Sequence, residues 1–237
     1  MESIVSQALS TLKCATTERV RFRLPMNATE VEAVMTQAYA NIVAQRGGTI
    51  ETMDASTKAN IQAVSRWLTD ARQRPSLLIC GGVGNGKTTT AKSIAATFDA
   101  LRMLGGTKLR NDRWKMSPQE EAIYSTLSRL PVLNIMSAVD VANAARDPEK
   151  FASIKGTQIL IIDDLGTEPA TAKVYGTELT PINEIINHRY ERMATTIITT
   201  NLNDAAIEER YGERVIDRIN EMYGKLVYTS PSYRVNR

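Results

Sequence analysis

Apolar residues in this chain recur mostly at helical spacing before residue 77 and, from there on, also in short strand-length runs. Upstream, Val31, Val34, Met35, Ala38 and Ile42 recur at the spacing of one helix face. Asn27 and Glu30 precede them as a loose capping box, and Gly47-Gly48 closes the run. Ile61, Val64, Trp67 and Leu68 mark a second helix over 56–72, and a short helix is predicted over 2–13. Between these, Arg19-Val20-Arg21-Phe22-Arg23-Leu24 alternates with a period of two, which predicts a strand with one basic face ending at Pro25. From Leu77 onward, short apolar runs alternate with helix-length segments. Strands are predicted at Leu77–Cys80, Val132–Met136, Ile159–Ile162, Thr196–Thr199 and Lys225–Tyr228, and helices over 87–103, 138–147, 178–193 and 204–222. Such alternation predicts an α/β domain: a parallel five-stranded sheet sandwiched by helices. The stretch 105–131 reads least clearly, with Gly105-Gly106, a basic run of Lys108, Arg110, Arg113 and Lys115, and a helical pattern over 118–129.

Length and composition narrow the chemistry. At 237 residues the chain accommodates one sizeable α/β domain, placed over 56–237, and a small, mainly helical region over 1–55. Hydrophobic residues at 43% and charged residues at 23% suffice for a core. The net charge of +3 is too small for a polycation that wraps nucleic acid. With His188 as its single histidine and only Cys14 and Cys80, the chain lacks the ligands of a structural zinc site and the cysteines of a disulfide framework. No apolar run approaches the ~20 residues that span a bilayer, and no secretory signal is visible. A cytoplasmic protein is expected.

The chemistry concentrates at three strand ends. Leu77-Leu78-Ile79-Cys80 runs into Gly81-Gly82-Val83-Gly84-Asn85-Gly86-Lys87-Thr88-Thr89, a G-x-x-x-x-G-K-T loop between a strand and a helix. Glycines let backbone N–H groups close on phosphate, and the helix N-terminus adds unpaired donors and a positive dipole end. Lys87 then reaches the β- and γ-phosphates while Thr88 ligates Mg²⁺. The buried run Ile159–Ile162 ends in Asp163-Asp164. Two carboxylates at the end of an apolar strand call for a cation, so Asp163 is read as the Mg²⁺ residue and Asp164 as the residue that polarises the attacking water. Lys87 and Asp163 are far enough apart in sequence for an intervening strand, so their strands are expected to flank a gap. Ile197-Ile198-Thr199-Thr200-Asn201 is a third such strand, and Asn201 is placed near the γ-phosphate or the lytic water.

In this order the motifs resemble the AAA+ ATPases of the DnaC/IstB group, which includes replicative-helicase loaders and the ATPase subunits of some transposons. The resemblance covers about 60–237. It rests on Gly81–Thr88, on Ile162-Asp163-Asp164-Leu165-Gly166-Thr167-Glu168-Pro169, and on Ile185-Ile186-Asn187-His188-Arg189-Tyr190-Glu191. Thr199-Thr200-Asn201-Leu202, Tyr211-Gly212-Glu213-Arg214-Val215-Ile216-Asp217-Arg218 and Ser232-Tyr233-Arg234 extend it. It implies an ATPase that binds ATP and Mg²⁺ at a subunit boundary, self-associates through that site, and helps deliver a replicative helicase to single-stranded DNA. An IstB-like ATPase presenting DNA to a transposase, and a nucleotide-gated adaptor with negligible turnover, are the alternatives. The region 1–55 stands where loaders carry their partner-docking module. Arg218, with Arg214 as understudy, matches the family's arginine finger, and Arg234 its second sensor arginine. The alternative for Arg214 and Arg218 is a solvated stripe paired with Glu213, Asp217 and Glu221. Two departures stand out: Asp164 occupies a position where AAA+ proteins mostly have Glu, which predicts slow hydrolysis, and a helical lid after the fifth strand is not expected. Candidate DNA contacts are Arg146, Lys150, Lys155, the 108–115 run, Tyr175 and the Arg19/Arg21/Arg23 face.

Overall fold

The computed structural model describes residues 4–7, 9, 22–48, 53–169, 172–174 and 177–233. Arg19, Arg21, Tyr175, Arg234 and most of the helix expected over 2–13 lie outside the described residues. In chain order the helices are α1 (Ala28–Gln45), α2 (Ala55–Thr69), α3 (Lys87–Asn111), α4 (Pro118–Ser128), α5 (Ala138–Ala144), α6 (Pro148–Gly156), α7 (Pro181–Glu191), α8 (Asp204–Tyr211) and α9 (Glu213–Met222). The strands are β1 (Ser76–Gly81), β2 (Asn134–Ser137), β3 (Ile159–Leu165), β4 (Ala172–Val174), β5 (Thr177–Leu179), β6 (Thr195–Thr200) and β7 (Tyr223–Tyr228). Five strands form one parallel sheet in the order β2-β3-β6-β1-β7, and β4 and β5 form a separate antiparallel hairpin.

Side-chain alternation along each central strand divides the core in two. Leu77, Ile79, Ile159, Ile161 and Ile197 face a layer that includes Met35 of α1, Ile61 of α2, Phe98 of α3 and Leu127 of α4. Leu78, Leu160, Ile162 and Ile198 face the opposite layer, with Val141 of α5, Ile185 of α7, Ile207 of α8 and Ile219 of α9. A sheet covered on both faces needs strands that are apolar on both faces, which is how Ile159–Ile162 of β3 reads. Asn27 and Glu30 close a full capping box on α1, and that helix buries Val31, Met35 and Tyr39 in the same core as the sheet.

Several boundaries differ from the sequence reading. Residues 22–24 are not a strand. Arg23 instead donates to the carbonyls of Asp70, Gln73 and Arg74 and lies 5.4 Å from the Trp67 ring centre, so this member of the expected basic face holds the end of α2. The helix expected over 87–103 continues through Gly105-Gly106 to Asn111, because α4 packs across it there. Helix 138–147 stops at Ala144, and Asp147 caps a new helix by accepting from the Glu149 and Lys150 N–H groups at 3.1 Å. Helix 204–222 breaks at Gly212, whose φ of 88° no helix permits. Among the described residues no helix follows β7, and no helix is long and apolar enough to cross a membrane.

One buried cation ties the sheet to its helices. Arg189 is 0% exposed, and burial pulls its guanidinium down to a pKa of about 10. It donates to Thr196 Oγ1 at 2.8 Å and to the carbonyls of Thr195, Thr157 and Lys155 at 2.6, 2.6 and 3.1 Å. Arg189→Met is expected to strand those acceptors and lower the unfolding free energy by at least about 3 kcal/mol. Arg189→Lys should recover only part, since an ammonium cannot reproduce the fork. Urea unfolding midpoints at constant m-value measure both losses.

Candidate functional site

Parallel pairing sets three polar strand ends side by side. Strand β6 lies between β1 and β3, with Cys80 opposite Thr200 on one side and Leu165 opposite Thr200 on the other. The gap expected between the Lys87 and Asp163 strands is therefore filled by the strand that leads to Asn201.

The loop after β1 enters α3 at Lys87 with Gly86 as N-cap and without a side-chain cap. The first-turn N–H groups and the positive end of the helix dipole accordingly lie at the loop. Gly86 has a φ of 95°, and a Cβ there would sit 2.6 Å from the Tyr39 hydroxyl, so both conformation and space require glycine. Asn85 is buried and donates to the Tyr228 carbonyl at 3.2 Å. Tyr233 donates its N–H to the Gly84 carbonyl at 3.0 Å, and its hydroxyl lies 2.9 Å from Thr57 Oγ1 and 3.1 Å from Asp54 Oδ2. Burial, with Tyr233 close by, pushes the Tyr39 hydroxyl up to a pKa of about 12. Val83, at the tip, is exposed.

Lys87 is 4% exposed, an unusual place for an ammonium. Its Nζ donates to the carbonyls of Gly81 and Gly82 at 2.9 and 2.6 Å, to Asn85 Oδ1 at 3.2 Å and to Asn201 Oδ1 at 2.7 Å. Asn201 thus meets the loop lysine directly. Thr88 Oγ1 donates to Asp163 Oδ1 at 3.0 Å, and Thr199 Oγ1 donates to the same oxygen at 2.5 Å. Thr199 Oγ1 also accepts the Asp164 N–H at 2.9 Å, so one hydroxyl fixes both acids. Asp164 has a φ of 56°, at a register shift between Ile162 and Leu165.

The donor set suits a Mg²⁺–triphosphate. Adjacent oxygens of an octahedron with bonds of about 2.0–2.1 Å lie about 2.9 Å apart, and Thr88 Oγ1 and Asp163 Oδ1 are separated by 3.0 Å. An uncapped helix start and a buried ammonium supply the complementary anion site. Thr89 lies in that first turn, and its hydroxyl accepts from Arg46 at 3.2 Å.

Arg218 stands apart from this cluster. It donates to Asn187 Oδ1, lies 3.8 Å from Glu191 Oε1, stacks 4.8 Å from the Tyr190 ring centre, and its side chain is 11% exposed. Its partners are on α7 rather than among the acids of α9. Arg214 is exposed. Among the DNA candidates, Lys155, Lys108 and Arg113 pair with Glu184, Asp112 and Glu121. Trp114, 79% exposed, lies under Lys115 at 4.5 Å. Sequence reasoning missed the Tyr39–Thr57–Asp54–Tyr233 cluster, Arg46, the Thr199 clamp and the buried Glu168. Only Thr199 carried a signal, a hydroxyl inside an otherwise apolar strand.

The parallel sheet, the loop after β1 and the acids near the end of β3 together form a P-loop-type α/β fold. No family model and no curated protein matches the sequence. Solved structures do: the DnaC helicase loader aligns with a TM-score of 0.50 and 21% identity over 76% of this chain and 93% of its own. DnaI aligns at 0.48 and 18% over 76% of this chain and 88% of its own, and AMPPCP-bound DnaA from Aquifex aeolicus at 0.47 and 14% over 74% and 47%. At such identities the likeness to the DnaC helicase loader is one of fold.

Thr199→Val should cost about 1–3 kcal/mol of stability, because the Asp164 N–H loses its buried acceptor. Thr199→Ser should restore most of it. Chemical denaturation of the three proteins checks both, and an unchanged Val variant would mean that the hydroxyl clamps nothing.

Proposed function

We propose that this chain is an ATPase of DNA replication, resembling a helicase loader, that binds Mg·ATP at a subunit boundary and helps deliver a replicative helicase to single-stranded DNA. One observation carries the ATPase reading: Lys87, Asn201, Thr88 and Asp163 converge from the ends of three adjacent strands. The loader reading is supported by the sequence resemblance and by a fold shared with the DnaC helicase loader. Bound Mg·ATP supplies a reactive phosphoanhydride and a Lewis-acid cation. Thr88 and Asp163 hold the cation, the latter directly or through water. Lys87 would exchange some of its present oxygen partners for β- and γ-phosphate oxygens, and Asn201, hydrogen-bonded to Lys87, would then face the γ-phosphate or the attacking water. Asp164 accepts the proton of the attacking water as the bond to the β-phosphate oxygen breaks.

Residues 1–55 serve as the partner-docking region in this reading, packed through α1 onto the nucleotide domain. Arg218 completes the neighbour's site once it leaves Asn187 and Tyr190, and Arg234 serves the nucleotide of its own subunit. A nucleotide-gated adaptor is the second reading, favoured by Asp164, whose carboxylate reaches one methylene less far than glutamate.

Turnover per subunit is expected to rise with protein concentration or with single-stranded DNA. Arginine fingers contribute roughly 10³–10⁵-fold in the best-studied nucleotidases; Arg218→Ala should abolish the concentration-dependent part and keep Mg·ATP affinity. Asp164→Asn should bind Mg·ATP and not turn over. Mixed, the two variants should recover activity where an intact base meets an intact finger. A mixture that co-assembles yet stays inactive removes the trans role of Arg218. Binding with no turnover in the wild type selects the adaptor.

A further inference from the structure

Glu168 follows the two acids by a few residues and is 2% exposed. A buried carboxylate is costly unless its oxygens are satisfied, and here each is. Its Oε2 accepts the Gly166 N–H at 2.9 Å. Its Oε1 accepts the Tyr211 hydroxyl and lies 3.7 Å from Arg210 Nε, while the Arg210 guanidinium also donates to the Glu168 carbonyl. Burial and the hydrogen bond to Glu168 push the Tyr211 hydroxyl well above its ordinary pKa.

These bonds close a turn whose other end is the acid assigned to water. Asp164 at φ 56° lies in the left-handed region, which non-glycine residues occupy uncommonly and aspartate more readily than most. Its N–H is held from β6 by Thr199. Its carbonyl accepts both the N–H of Thr167, at 3.2 Å, and the hydroxyl of Thr167, at 2.8 Å. Gly166, at φ 104°, packs against Leu202 so closely that a Cβ would lie 2.7 Å from Leu202 Cδ1. Beyond this, the turn is secured by Glu168, whose donors from outside the turn are the last two residues of α8. Through Gly212, α8 continues into α9, which carries Arg218.

We propose that Glu168 is a positioning residue: by fastening the Asp164–Thr167 turn to Arg210 and Tyr211, it fixes the orientation of the Asp164 carboxylate and ties it to the helix pair that bears Arg218. This rests on the reading of Asp164 as the residue that takes the water's proton.

Tyr211→Phe removes one O–H donor and keeps the ring, and Glu168→Gln keeps the side chain's size. In the full chain, amide hydrogen exchange of Gly166 and Thr167 should quicken at least tenfold in each variant, while Leu160 and Ile161 in β3 exchange as in wild type. Mg·ATP affinity should stay within twofold, turnover should fall at least tenfold, and the double variant should be no worse than the poorer single one. If Tyr211→Phe also loosens Leu160 and Ile161, Glu168→Gln carries the test. Wild-type exchange at Gly166 and Thr167 in both variants would overturn the proposal, as would faster exchange with undiminished turnover. Normal turnover by Asp164→Asn, or none by the wild type, would defeat the base assignment alone. The exchange rates would still decide whether Glu168 holds the turn.

Discussion

The insertion of β6 between β1 and β3 governs the geometry of everything at this end of the sheet. Parallel strands bring equivalent ends to the same edge, so the loop after β1, Asn201 after β6 and the acids of β3 are neighbours by topology rather than by sequence. Thr199 then performs two tasks from one hydroxyl, donating to Asp163 and accepting from Asp164. Lys87 bridges the remaining distance through Asn201. With β6 elsewhere in the order, none of these contacts would reach.

A second layer of control comes from outside the sheet. Tyr39 of α1 closes against Gly86, Arg46 engages Thr89, and Tyr233 fastens Gly84 to the Thr57 and Asp54 hydrogen bonds at the start of α2. The loop after β1 is thus gripped by α1, by Arg46 just beyond it, and by Tyr233 with the start of α2. Anything that shifts the loop must be felt by α1 and α2.

The strands and the loop were legible because their signals are local. Leu77–Thr88 and Ile159–Asp164 each carry strand pattern and chemistry in one continuous stretch. Strand order was not legible, although the separation of Lys87 from Asp163 hinted at an intervening strand. Residues acting through long-range hydrogen bonds were the least visible. Glu168 is satisfied by Arg210 and Tyr211, and Arg189 by carbonyls at the end of α6 and the start of β6, which no spacing rule anticipates. Arg23 misled for the same reason: alternation suggested a basic strand face, whereas its guanidinium is consumed by backbone acceptors at the end of α2. Gly212 was visible as a residue, but its left-handed conformation was not, so α8 and α9 were read as one helix.

In the reading proposed, the loop after β1 binds a triphosphate through Lys87. Calorimetric titration of Mg·ATP into the wild-type chain and into Lys87→Ala tests it, with thermal melting of both proteins without nucleotide showing that each is folded. Saturable binding by the wild type, weakened at least tenfold by Lys87→Ala, is the expected result. Equal affinity of the two folded proteins would contradict the account.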